Sequence, residues 1–213
     1  MNAISFEIRA PMSSWATGGS SIIPTMSEPT WSAVVGMIGS AMGVDRSETE
    51  KLQAISNDFA MALTVIRPGI KASDFNTIEA PFANKVKPVR PRTRFQELDF
   101  HSVSDLNTTI IKREYVHDAI YLVHVIQTSD APVVSLEEID KALRNPVFPL
   151  TAGRRSCLAG RFFAKKTTLE EIAPTLTHWD KRVNVNRTPS MIRERRDQLI
   201  GVRQFGIRFE CVA

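Results

Sequence analysis

Helix-opening signals at Thr30, Ser47 and Ser135 interrupt a chain whose other patterned stretches read as strands, and their spacing constrains the fold more than any other feature. Thr30 offers a capping hydroxyl and Gly43 a stop for a helix to about Met42, with Val34, Val35, Ile38, Ala41 and Met42 on its apolar face. Gly36 and Gly39 on that helix predict a close approach to a sheet or another chain. "SETE" (47–50) and "SLEE" (135–138) are capping boxes. The first opens a short helix through Leu52 and Ile55; the second opens a helix to Arg144 that Asn145-Pro146 closes. Around these, Ile4, Phe6 and Ile8 alternate with Ser5, Glu7 and Arg9, the period of a half-buried strand. "FAMALTVIR" (59–67), "TTIIKREY" (108–115), "AIYLVHVIQ" (119–127) and the closing "VRQFGIRFECV" carry strand patterns as well, and "TLEEIAPTLTHWDKR" reads as partly helical.

The order is strand, helix, strand, insertion, strand, helix, glycine-arginine loop and further strand. It predicts an α+β fold of the β-α-β-β-α-β, ferredoxin-like (RRM-like) kind. Residues 1–160 form that domain and 161–213 a small β-rich C-terminal region. Residues 68–109 change character: Pro81, Pro88 and Pro91 exclude a regular helix, so the segment reads as an insertion, a protruding hairpin or arm. Residues 11–29, rich in Ser, Gly and Pro, read as a long loop in which Trp15 must find something to pack on.

No run of about 18 apolar residues is present to span a membrane. The N-terminus lacks the basic-then-apolar pattern of a secretory leader. With only Cys157 and Cys211, the expectation is two reduced thiols in a cytoplasmic protein, and no Cys-x-x-Cys spacing points to zinc. The net charge is +4, but the basic residues are grouped. "KVKPVRPRTR" (85–94) has five basic residues and no acid, Arg154–Lys166 is acid-free, and 185–209 holds six arginines against two acids. Such patches suit a polyanionic partner; each is equally readable as a solvated face.

Hydrolytic chemistry has little support. There is no G-x-S-x-G elbow, P-loop or dinucleotide fingerprint. His124 alternates within an apolar strand and reads as a core histidine. Tyr115 and His117, with Lys112 nearby, are the only trio suited to metal-independent RNA cleavage. No cofactor is expected. In "LTAGRRSC" (150–157), Gly153 allows the backbone and the guanidinium groups of Arg154 and Arg155 to approach phosphates together. The RRM aromatic consensus is absent, so backbone capture is expected over base stacking on a sheet.

"MSSWATGG", "PTWSAVVGMIGSAMGVDR", "KREYVHDA" and "ALRNPVFPLTAGRRSC" occur in the order found in CasD proteins, subunits of the type I-E CRISPR Cascade complex in the RAMP superfamily, and the chain resembles that family over residues 1 to about 160. The resemblance implies a RAMP domain whose 68–109 insertion is the protruding thumb. It implies a non-catalytic subunit that holds the 5′ handle of the CRISPR RNA, touches the backbone and large subunits, and meets target DNA only through the complex. The RNA-binding residues it implies are Ser14, Trp15, Thr30, Ser32, Arg46, Lys112, Arg113, Tyr115, Gly153, Arg154, Arg155 and Ser156. Lys85, Lys87, Arg90, Arg92 and Arg94 are the implied thumb contacts to RNA or a neighbouring subunit. The chain departs from the pattern at Trp31, where a cation is usual and its phosphate contact would be either lost or replaced by stacking, and at Leu158, where proline is usual. A type I-C branch of the family processes its own CRISPR RNA, which keeps an endoribonuclease as the alternative; a purely structural assembly subunit is the third reading.

Overall fold

The computed structural model describes residues 1–16, 22–45, 47–81, 93–160, 162–198 and 205–213. In chain order the strands are β1 (Asn2–Arg9), β2 (Met12–Ser13), β3 (Trp15–Ala16), β4 (Ile22–Ile23), β5 (Thr25–Met26), β6 (Phe59–Arg67), β7 (Ile70–Pro81), β8 (Leu106–His117), β9 (Ile120–Gln127), β10 (Lys165–Thr168), β11 (His178–Asp180), β12 (Met191–Gln198) and β13 (Phe205–Val212). The helices are α1 (Trp31–Met42), α2 (Thr49–Asp58), α3 (Arg94–Asp99), α4 (Leu136–Arg144) and α5 (Leu169–Ile172).

One seven-stranded sheet, ordered β10-β1-β9-β6-β11-β13-β12, is antiparallel at every pairing. The C-terminal strands extend it at both edges: β10 beside β1, and β11 beside β6. Period two sorts the side chains of its central strands. Ile4, Phe6 and Ile8 of β1, Phe59, Met61 and Leu63 of β6, and Tyr121, Val123 and Val125 of β9 bury one face against Val34, Val35 and Ile38 of α1 and Ile139 and Leu143 of α4. The intervening Ala3, Ala60, Ala62 and Ile126 pack with Leu169, Ile172 and Trp179 into a second apolar cluster. β1 is therefore buried on both faces where α5 covers it, with small residues on the second face, rather than half-buried.

Capping accounts for the helix positions. Thr30 Oγ1 accepts from Ala33 N at 3.3 Å, and Gly43 closes α1 at φ 73°. The close approach expected at Gly36 and Gly39 to a sheet or another chain takes a different form: at Gly39 a Cβ would lie 2.4 Å from Leu52 Cδ2 of the neighbouring helix α2, and Gly36 has nothing within 4 Å. Ser135 and Glu138 form the expected box at α4. The box expected at Ser47 and Glu50 is absent. Asp45 Oδ1 accepts from the Ser47 amide and hydroxyl, and Asp45 N donates to Glu48 Oε2 at 2.7 Å. These bonds close the turn before the helix: α2 itself starts at Thr49 with Glu48 as its N-cap and no side-chain cap hydrogen bond, so the expected box does not form.

A hairpin runs through the expected insertion but extends past its 109 boundary, because the stretch read as a resuming strand, 108–115, is the hairpin's second strand. β7 and β8 pair over all twelve residues, Ile70↔His117 through Pro81↔Leu106, with α3 and a 3-10 turn at Val103–Asp105 near its end. Both strands leave the main sheet at left-handed residues: Gly69 at φ 73° and Asp118 at φ 56°. A Cβ on Gly69 would stand 2.4 Å from the His117 carbonyl oxygen, so only glycine fits. The segment expected as one long loop supplies short strands instead: β2 pairs antiparallel and β4 parallel with β8, and β3 pairs with β5. No described helix is long and apolar enough to cross a membrane.

Candidate nucleic-acid interface

The glycine-arginine loop follows from the end of α4. Past Asn145-Pro146 the chain turns back along α1, where Val147 N donates to the Ala41 carbonyl, and Phe148 N joins the Gly43 amide on the Ser40 carbonyl, at that helix terminus. Residues 150–159 then close a small hairpin: Ala159 N donates to Leu150 O at 2.9 Å, Ala152 N to Cys157 O at 2.7 Å, and Cys157 N to Arg154 O at 2.9 Å. Leu150, Ala152 and Cys157 point inward and are buried; Arg155, Ser156 and Leu158 are exposed. Cys157, expected as the first residue of the next strand, anchors this loop, and that strand starts at Lys165. Burial pushes the Cys157 thiol above its usual range, so it stays protonated. Neither Cys157 nor Cys211 is in a disulfide.

Gly153 sets how the loop sits. It has φ 93°, and a Cβ there would fall 1.8 Å from the Ser14 carbonyl oxygen. Ser14 N donates to Ala152 O at 3.0 Å, binding the loop to the segment between β2 and β3. On the other side the Arg154 guanidinium carbon lies 5.1 Å from the Tyr115 ring centroid on β8. Arg154 Nη2 donates to the Ile23 carbonyl of β4 at 3.4 Å.

Five of the expected residues, Ser14, Trp15, Tyr115, Gly153 and Arg154, thus meet at one place, and three of them, Ser14, Trp15 and Tyr115, are buried. Trp15 is 1% exposed, edge-on to Tyr121 at 6.1 Å, and offers no face to a base. Ser14 is buried with its hydroxyl donating to the Glu114 carbonyl. Tyr115 is 7% exposed beneath Arg154. Thr30 is buried as the α1 cap, with the half-buried Ser32 hydroxyl 3.2 Å from its own. The structure places these four within the framework of the fold rather than on its surface. A capping hydroxyl and a core aromatic carry the same letters as an RNA ligand, and only burial separates them. Trp31 likewise replaces no cation with a stacking ring: it is buried, its indole N–H donating to Ser56 O at 3.4 Å.

The cations that remain available are Arg155, exposed with no hydrogen bond or ion pair among the described residues, and Lys112, exposed on β8. Arg113 is half-buried on the opposite face of β8. Arg46, Lys85, Lys87, Arg90 and Arg92, and the side chain of Arg94, which opens α3, lie outside the described residues. Lys112 faces away from Tyr115 and His117, so the trio considered for RNA cleavage is split between two faces of the sheet. Among the described residues no three His, Cys, Asp or Glu gather to hold a metal.

Two features escaped the sequence pattern. The Ile23 carbonyl is one, because an acceptor on the backbone leaves no trace in residue identity. The other is an exposed row across the hairpin sheet, Ile22–Lys112–Phe75, set by the β4–β8 and β8–β7 registers, with exposed Ile110 beside it.

The layout, an antiparallel sheet backed by α1 and α4 with a long hairpin beside a glycine-arginine loop, is the fold of CRISPR-associated subunits. A chain of a "CRISPR RNA-guided surveillance complex" matches 99% of this chain and 89% of its own length with a TM-score of 0.68 at 20% identity. A "Crystal structure of Cas protein" matches 98% and 92% with a TM-score of 0.58, also at 20% identity. The "CRISPR system Cascade subunit CasD" of Escherichia coli (strain K12) is 28% identical over 134 residues, 63% of this chain and 56% of that protein, so the alignment spans a little over half of the relative's length. The family model "CRISPR-associated protein (Cas_Cas5)" matches residues 3–202, and the chain belongs to this family.

Proposed function

We propose that this chain is a non-catalytic, cytoplasmic subunit of a type I-E Cascade complex that binds the 5′ handle of CRISPR RNA and touches the backbone and large subunits. The observation that carries the reading is the 150–159 loop. It is fixed from behind by Gly153 against Ser14 and presents Arg155 and Ser156 to solvent. A fixed loop carrying an exposed guanidinium suits phosphate capture, because little backbone order remains to be gained on binding. Family membership and the likeness to CasD support the assignment to Cascade. The strand order β10-β1-β9-β6, with α1 between β1 and β6 and α4 between β9 and β10, supports the ferredoxin-like reading of the core. The test is co-purification of the full chain with its RNA, sequencing of the RNA 5′ end, and incubation with repeat RNA without metal. A common repeat-derived 5′ end and an uncut repeat are expected. Random RNA ends would overturn handle recognition, and site-specific cleavage would replace the scaffold with an endoribonuclease.

A further inference from the structure

Arg154 and Arg155 are neighbours in sequence but not in environment. The Arg154 guanidinium lies over Tyr115, its Nη2 donates to the Ile23 carbonyl, and its Nη1 is shut off from solvent with no hydrogen-bond partner among the described residues. A phosphate cannot reach the Nη1 side unless the loop moves, and the ring covers one face of the plane. Arg155, one residue on, is exposed and makes no hydrogen bond or ion pair among the described residues. The two partners of Arg154 belong to the hairpin sheet, Tyr115 on β8 and Ile23 on the paired β4. Gly153, immediately before it, seats against Ser14.

We infer that Arg154 is a positioning residue, not an RNA ligand: it latches the 150–159 loop to the base of the hairpin, and Arg155 alone of the pair meets phosphate. This rests on the RNA-binding reading above and divides its labour. A latch needs a planar, delocalised cation that stacks and reaches a carbonyl at once, which lysine cannot do. A phosphate ligand needs chiefly a charge, which lysine keeps.

The experiment measures affinity of the full chain for a dye-labelled single-stranded RNA carrying the repeat-derived 5′ segment across a salt series, for wild type, Arg155→Ala, Arg154→Met, Arg154→Lys, Tyr115→Leu and the double variant Arg154→Met with Arg155→Ala. Removing one cation from a phosphate lowers the slope of log affinity against log salt by about 0.7 on a single strand. Arg155→Ala is expected to lower it by about 0.7, and the double variant by no more, because Arg154 acts through Arg155. Arg154→Lys is expected to behave as Arg154→Met, and Tyr115→Leu as both. A double variant whose slope falls by about 1.4, or a lysine that restores wild-type binding, makes Arg154 a phosphate ligand and overturns the inference. So does an Arg155→Ala variant that binds as wild type. A wild-type chain with no salt-dependent affinity for the RNA overturns the RNA-binding reading itself, and the inference with it.

Discussion

Acid should destabilise this protein through one buried imidazole. His124 is 1% exposed in β9, its Nδ1 2.7 Å from Ser5 Oγ and its Nε2 3.1 Å from Thr64 Oγ1. Thr64 Oγ1 is also 2.9 Å from the Thr175 carbonyl, which can only accept. The single Thr64 proton is therefore directed to that carbonyl, so the threonine accepts Nε2–H and Nδ1 accepts the Ser5 hydroxyl. Both nitrogens are satisfied in the neutral ring. Burial pushes the pKa down from 6.5 to about 4. Between those values the unfolded chain binds a proton that the native state refuses. Native stability then falls as pH drops below about 6.5, at up to about 1.4 kcal/mol per pH unit, and the loss levels off near pH 4 at about 3 kcal/mol. Urea unfolding at a series of pH values, with wild type compared against His124→Gln, isolates this contribution. The variant has its own baseline stability; the readout is the difference in slope. The two curves should diverge by about 3 kcal/mol between about pH 7 and pH 4. Parallel curves over that interval would refute the buried neutral imidazole.

Other perturbations give separate readings. Tyr121, whose hydroxyl donates to the Ser27 carbonyl, is pushed up to about 12 by burial, so its phenol should ionise far above the ordinary value; the ultraviolet absorbance titration of wild type minus Tyr121→Phe checks this. Ser135→Ala removes a capping box and should cost about 1 kcal/mol in chemical denaturation, with Ser135→Asp recovering most of it. Gly153→Ala meets both the φ of 93° and the Ser14 carbonyl; about 1–3 kcal/mol of destabilisation is expected, together with faster proteolysis after Arg154 and Arg155, and an unchanged cleavage rate would contradict the seating described.

Much of the main sheet was legible because its causes are local. Thr30 and Gly43 bound α1, Ser135 and Glu138 open α4, and period two marks β1, β6 and β9 wherever one face is apolar. The second face of β1 was not legible: Ala3 and Ser5 are too small to announce that anything packs on them, and Leu169 and Ile172, which pack with Ala3, come more than 150 residues later in the chain, while His124 meets Ser5 from β9. The short strands β2 and β4 exist because β8 offers them a partner, and β3 and β5 because they pair with each other, which no pattern within 11–29 encodes. The candidate site was half legible. "GRR" marked the loop and its glycine, but what separates Arg154 from Arg155 is the contact of Arg154 with Tyr115 and Ile23, about 40 and 130 residues away in sequence. Trp15, Tyr115 and Thr30 have the chemistry of ligands and the exposure of core, a distinction set wholly by tertiary packing.

The left-handed residues at the root of the hairpin give the molecule an adjustable gauge. Gly69 and Asp118 fix the direction in which β7 and β8 depart, and Arg67 Nε donates to the Asp118 carbonyl beneath them. From that root runs a uniform ladder of twelve paired positions, about 40 Å of reach at the rise of an antiparallel strand. Adding or deleting one residue from each strand alters the reach by about 3.4 Å and flips every side chain beyond it; two from each strand alter it by about 7 Å and restore the faces. The reach of this hairpin can therefore be retuned in steps of two rungs without touching the core that carries the ladder.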